Sequence, residues 1–170
     1  TDAAKDQLAE AATSVMALKI LDLTSENIGD QEEYGVISRQ QILDLATGQW
    51  VERKEVTLIV GPSGVGKSHL AQALGQEACR RGYSALFTPV AKMLAHLGGG
   101  RADGTYEKRL LTYLRPDLLV LDDFGLRPLK GAEPEDLYEV INQRYERASI
   151  MVTSNRDYAE WPEAFGQNPL

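Results

Sequence analysis

Apolar positions along this 170-residue chain switch between two periods, and the switches predict its elements. Around residues 5–22, Leu8, Ala12, Val15 and Leu23 recur near helical spacing, with Lys19 on the same stripe, which predicts an amphipathic helix. Residues 24–35 are polar and acidic and read as a linker. Ser38 is the candidate cap of a helix reaching about Trp50, with Ile42, Leu45 and Ala46 on one face. The pattern then changes. Residues 56–60 form an unbroken apolar run, rich in β-branched side chains, as in a strand covered on both faces. Glycines interrupt it from Gly61 to Gly66. Residues 67–81 predict a helix with Leu70, Ala73, Leu74 and Ala78 inward and Gly82 as its stop.

Residues 84–87 read as a second strand. Thr88 as cap and Pro89 in the first turn open the next helix, whose buried stripe is Val90, Met93, Leu94 and Leu97. Gly98, Gly99 and Gly100 predict its end. Residues 105–114 predict a further helix, broken before Pro116, and 117–121 a third buried strand. Glu133, Glu135 and Asp136 place acids at the positive end of a helix lined by Leu137, Val140, Ile141 and Tyr145. Residues 149–153 are the fourth strand. Strands alternating with helices predict an α/β fold in three layers around a parallel sheet. The division expected is an N-terminal helix and acidic linker over 1–35, and a single core over 36–170.

Composition narrows the class. Hydrophobic residues make up 43% of the chain, enough for one buried sheet, and no apolar run approaches a membrane span. No secretory signal opens the sequence, and its start at Thr1 suggests processing. The single cysteine, Cys79, forms no intrachain disulfide, which fits a reducing, cytoplasmic setting. The net charge of −7 excludes a uniformly basic nucleic-acid binder. Its distribution is uneven: residues 1–35 carry −6, residues 76–115 carry +4 and residues 116–170 carry −6. The basic segment fits either a solvated helical face or a contact with a phosphate backbone.

The chemistry sits where the periodicity breaks. Gly61, Pro62, Ser63, Gly64, Val65, Gly66, Lys67 and Ser68 match the P-loop pattern at every fixed position, between a predicted strand and a predicted helix. Glycines let backbone N–H groups turn toward phosphate oxygens, and the helix aims its positive end at the same anions. Lys67 is placed to reach the β- and γ-phosphates of ATP, and Ser68 to ligate Mg²⁺. His69 completes the cofactor-contacting stretch, its ring read as a packing or hydrogen-bonding group of the first helical turn. Asp122 and Asp123 end the third strand in the Walker B arrangement, 54 residues separating Lys67 from Asp122. Asp122 is the metal-holding candidate, and Asp123 the group that orients or activates water. Asn155, after the fourth strand, matches the position called sensor 1. No Cys/His cluster has metal-ligand spacing.

Beyond these motifs, residues 36–170 resemble the IstB-like ATP-binding proteins, helper ATPases of bacterial insertion sequences, similar to the DnaC-type helicase loaders within the AAA+ class. The likeness is carried by Gly61 to Ala71, Ala78-Cys-Arg-Arg-Gly-Tyr83 and Leu86-Phe-Thr88. It continues in Arg101 to Thr105, Tyr113 to Leu119, Asp122 to Leu126, Pro128-Leu129, Arg144-Tyr-Glu-Arg147, Thr153-Ser-Asn155, Glu160-Trp161 and Phe165-Gly166. It implies a three-layer P-loop NTPase with an AAA+ core, ATP-dependent homo-oligomers on DNA, and delivery of a transposase or a replicative helicase. In relatives the segment after the second strand touches DNA, so Lys92, Arg101, Lys108 and Arg109 become DNA candidates. Many relatives carry Glu where Asp123 stands, and this suggests slow hydrolysis or an ATP-gated DNA-binding module. The family continues into a further strand, an arginine finger and a helical lid. The residues here stop at Leu170 before them, so turnover in isolation is expected to be weak.

Overall fold

The computed structural model describes residues 18–22, 39–156 and 160–161. Among these, five strands, β1 (Leu18–Asp22), β2 (Val56–Val60), β3 (Ala85–Pro89), β4 (Leu118–Phe124) and β5 (Ser149–Ser154), form one parallel sheet in the order β1-β2-β5-β4-β3. The helices are α1 (Arg39–Ala46), α2 (Gln49–Glu52), α3 (Lys67–Arg80), α4 (Val90–Asp103), α5 (Tyr106–Leu114) and α6 (Glu133–Arg144).

The unbroken apolar strands explain the three layers. Alternate residues of β4 go to opposite cores: Leu119 and Leu121 join the cluster built with α4, α5 and α6, and Leu118 and Val120 join the one built with α1, α2 and α3. Leu58 and Ile59 divide the same way. A strand with two dry faces has no polar positions to alternate with, hence the continuous run.

Several expectations are corrected. Residues 18–22 lie in a strand, not in the second half of a helix; the rest of that expected helix and the linker lie outside the described residues. β1 pairs with β2 rung by rung from Leu18↔Val56 to Asp22↔Val60. That pairing satisfies backbone groups along the edge of β2, a gain that outweighs a helical stripe containing Lys19. The helix expected through Trp50 is split at Gly48, whose φ of 73° is left-handed; Trp50 is buried, and its Nε1 donates to the carbonyl of Leu45 at 2.8 Å. Thr88 and Pro89 end β3, paired with Leu121 and Asp122, and Pro89 instead of Thr88 is the N-cap residue of α4; an edge strand tolerates the missing proline N–H. Finally, α4 runs through its three glycines to Asp103. A Cβ on Gly100 would lie 2.8 Å from the Cα of Tyr106, so Gly100 admits the backbone of α5, whereas Gly99 leaves room for the Arg109 guanidinium.

Among the described residues the largest buried charge is Arg144, at the last turn of α6 and 1% exposed. Its Nη1 donates to the carbonyls of Tyr113 (2.8 Å), Leu114 (3.4 Å) and Pro116 (2.9 Å), and its Nη2 to those of Asp117 (3.3 Å) and Ser149 (2.6 Å). It thus caps the free carbonyls at the end of α5 and ties them to the starts of β4 and β5. Burial pushes this guanidinium down to about 10, with Asp117 acting the other way. It remains a cation at neutral pH. Tyr145, expected on the inner face of α6, is instead exposed beyond the helix end.

Candidate functional site

The glycine loop leaves the C-terminal end of β2 and enters α3. Gly61, Gly64 and Gly66 have φ of 148°, 82° and 93°, conformations that side chains with a Cβ resist. The loop residues Pro62, Ser63, Val65 and Gly66 are exposed, as is His69. Lys67 is not: it is 5% exposed, and its Nζ donates to the carbonyl of Pro62 at 2.7 Å. Burial lowers the pKa of this ammonium, while Asp123 and Asp122 raise it.

Both acids stand at the end of β4. The Ser68 hydroxyl donates to Asp122 Oδ1 at 2.8 Å, and the Thr153 hydroxyl donates to the same oxygen at 2.5 Å. Asp123 follows with a left-handed φ of 59°, its N–H bonded to Thr153 Oγ1 at 3.0 Å. Burial raises its carboxyl pKa, Asp122 adds to the rise, and Lys67 opposes it. Asn155 lies half-buried in the bend after β5. Because β5 sits between β2 and β4, Asn155 emerges between the loop and the acids. Three separated sequence motifs therefore meet at one sheet end, outside the C-termini of parallel strands, where open α/β sheets bind ligands.

The donors present suit a hard dication. A hydroxyl and a carboxylate in mutual contact are the oxygen pair that Mg²⁺ accepts when phosphates supply further ligands.

The four basic candidates separate into two kinds. Arg101 is committed to buried Asp136, donating to its Oδ1 from Nε at 2.9 Å and Nη2 at 2.6 Å, with the guanidinium 4.5 Å above the Tyr106 ring. Arg109 clasps α4 to α5, donating to Thr105 Oγ1 (2.8 Å), the carbonyl of His96 (2.7 Å) and Asp103 Oδ2 (2.5 Å). Lys92 and Lys108 are exposed. Lys108, Arg109 and Arg115 line an open groove of about 560 Å³ together with His96, Thr105, Leu111, Thr112 and the acid Asp103, which Arg109 neutralises. In the sequence Arg115 is only one more charge before the helix-breaking Pro116. His96 donates to or accepts from the Tyr113 hydroxyl at 2.8 Å, a packed pair in the wall of this groove.

Two contributors to the site are given no role of their own by the sequence, although Thr153 lies in the Thr153-Ser-Asn155 stretch of the family likeness. Thr153 looks like an ordinary strand residue, and only its register opposite the acids reveals its use. Arg156, whose Nε donates to the carbonyl of Gly125 at 2.6 Å, carries no signal of its own.

Comparison with known proteins agrees with this geometry. The family model described as IstB-like ATP binding protein matches residues 7–170. A protein named as the putative ATP-binding protein of insertion sequence IS21 from Pseudomonas aeruginosa is 40% identical over 136 residues, covering 79% of this chain and 51% of the relative. Its counterpart for IS5376 from Geobacillus stearothermophilus is 36% identical over 134 residues, covering 79% and 53%. The chain thus spans about half the length of these curated relatives. Among solved structures, the DnaC helicase loader aligns with a TM-score of 0.61 and 26% identity, over 77% of this chain and 80% of that one. DnaA bound to AMPPCP and single-stranded DNA aligns with a TM-score of 0.61 and 26% identity, over 79% and 42%.

Proposed function

The chain belongs to the IstB-like ATP-binding proteins, and from that membership we propose that it hydrolyses ATP to drive assembly of homo-oligomers on DNA, which recruit or activate a transposase. One contact carries the reading: Ser68, at the start of the helix after the glycine loop, meets Asp122 of the acidic strand at 2.8 Å. A triphosphate on the loop side and a dication on the acid side then share one site.

The loop N–H groups from Ser63 to Gly66 and the positive end of α3 receive phosphate oxygens, the Gly61 N–H being spent on the carbonyl of Ser154. Lys67 moves from Pro62 to the β- and γ-oxygens. Ser68 and Asp122 hold Mg²⁺, which when bound neutralises charge on the transferring phosphoryl group. Asp123 orients water and accepts its proton; burial and Asp122 make it more basic than a solvated aspartate. Asn155 holds the γ-phosphate or the water from between the two strands. The expected result for Asp123→Ala is a fall in turnover of about 100-fold, with ATP affinity held within about threefold. Steady-state turnover beside equilibrium ATP binding reads both. An unchanged rate removes Asp123 from the chemistry.

DNA phosphates are received by exposed Lys108 and Arg115 at the α4–α5 groove, and by Lys92. The DnaA relative bound to single-stranded DNA supports a polynucleotide ligand for this fold. Reversing Lys108 and Arg115 to Glu is expected to weaken DNA binding at least about tenfold near 0.1 M salt, and to flatten the salt dependence by about one unit of slope for each phosphate no longer neutralised. Arg109→Glu, by contrast, breaks the clasp between helices and lowers Tm. If the double reversal leaves binding and its salt slope unchanged, the groove is not the DNA site.

The DnaC likeness favours a second reading, a loader of a replicative helicase. Co-elution with the transposase or with the helicase, in the presence of ATP and DNA, separates the two.

A further inference from the structure

The β4–β5 ladder runs regularly from Leu118↔Ser149 to Leu121↔Val152, and then skips to Phe124↔Ser154. Two residues of β4, Asp122 and Asp123, therefore stand against one residue of β5, Thr153. This is a bulge, and it carries both acids of the site. Asp123 takes a left-handed φ of 59° there, which turns its N–H out of the ladder. A left-handed aspartate persists only where its surroundings hold it.

Side chains from the end of β5 and the bend beyond do the holding. Thr153 Oγ1 accepts from the N–H of Asp123 at 3.0 Å and donates to Asp122 Oδ1 at 2.5 Å. Ser154 Oγ donates to the carbonyl of Phe124 at 2.9 Å. Arg156 Nε donates to the carbonyl of Gly125 at 2.6 Å. Four consecutive residues, Asp122 to Gly125, are thus gripped by a four-residue stretch that also carries Asn155. Thr153 and Ser154 are wholly buried, so water does not substitute for either hydroxyl.

We infer that Thr153 is a positioning residue of the nucleotide site: its one hydroxyl fixes the Asp122 carboxylate toward the metal-bearing side and the Asp123 backbone in the conformation that presents its carboxylate to water. The inference rests on the proposed ATP site. It adds that the acids and the strand end bearing Asn155 act as one rigid unit. A hydroxyl used as donor and acceptor at once is irreplaceable by an isosteric methyl, because valine leaves the Asp123 N–H unsatisfied and Asp122 with Ser68 as its remaining donor.

The test compares T153V and T153S with the parent protein in the presence of DNA. ATP affinity is measured with Mg²⁺ and with EDTA, beside kcat and KM. For T153V, affinity in EDTA is expected to stay within about twofold, the Mg²⁺-dependent gain to shrink at least about fivefold, kcat to fall about 20-fold, and KM for the Mg²⁺ complex to rise by about the factor lost from that gain. T153S, which restores the hydroxyl, returns each value to within about threefold of the parent. If T153V does not fold, T153A set against T153S carries the same expectations. A full Mg²⁺ gain in T153V overturns the inference, and so does a T153S as impaired as T153V, since packing and not the hydroxyl would then be at work. Failure of the parent protein to bind ATP overturns the site itself; binding by the parent with an unimpaired T153V overturns the positioning role alone.

Discussion

Replacing Lys67 by alanine lowers ATP affinity by about 100-fold or more while leaving the ligand-free fold intact. The affinity loss follows from removing a charge-assisted contact to phosphate in a desolvated site, where such bonds are worth about 1.5–3 kcal/mol each and the proposed cradle gives Lys67 two phosphates. The intact fold follows from its situation without nucleotide. There Lys67 is a nearly buried ammonium with one bond, to Pro62, and burial already disfavours its charge. Truncation removes that desolvation cost together with some methylene packing, so the two changes offset. Thermal melting with and without ATP reads both halves. The ligand-free Tm is expected to move by less than about 3 °C, which is about 1 kcal/mol for a chain of this size, and the upward shift on adding ATP to vanish. ATP affinity retained within tenfold would remove Lys67 from the phosphate cradle.

Arg144→Met has the opposite signature. It touches no part of the nucleotide site, yet it strips the donors from five carbonyls around the α5–β4 turn and the start of β5. Methionine fills comparable volume, so the loss is chiefly of hydrogen bonds. Leaving a buried carbonyl without a donor costs about 1–3 kcal/mol, and with several stripped at once the loss is about 3–5 kcal/mol. At about 2–4 °C per kcal/mol for a chain of this size, Tm falls by roughly 10 °C or more. Arg144→Lys recovers little, because a single ammonium cannot span carbonyls on both sides of the fork. The measurement is calorimetric or spectroscopic melting. A Tm within about 2 °C of the parent would show that water replaces the guanidinium.

How much of this is legible in the sequence depends on what kind of signal each residue leaves. The loop from Gly61 to Ser68 is readable because phosphate binding constrains residue type at fixed spacing, and the strand ending in Asp122 and Asp123 because dry faces exclude polar residues. The basic segment misleads in part. Charge is visible in sequence, but its partner is not: Arg101 is answered by Asp136, 35 positions away, and Arg109 by Asp103 and two oxygens of other residues. The glycines of α4 read as a helix end because intrinsic propensity takes no account of the neighbours that need the missing side chains of Gly99 and Gly100. β1 reads as helix because five residues with one lysine fit either period, and the pairing that decides between them is supplied by β2. Thr153 is hidden for a simpler reason. Its use depends on a bulge in a different strand.

The sheet order has a consequence for how the protein comes to exist. Among the described residues β5 is the last of the five strands yet lies at the centre, pairing Val56 with Ile150 across a separation of 94 residues. Until it arrives, the strand bearing the loop and the strand bearing the acids have nothing between them. From the end of β4 at Phe124 to the end of β5 at Ser154 is 30 residues, so on a ribosome adding about 5–20 residues per second that interval lasts roughly 2–6 s. During it the nascent chain has a phosphate loop but no site, and two exposed strand edges that invite wrong pairing. Nucleotide binding and escape from misfolding are therefore timed by the same event, the emergence of residues 149–154.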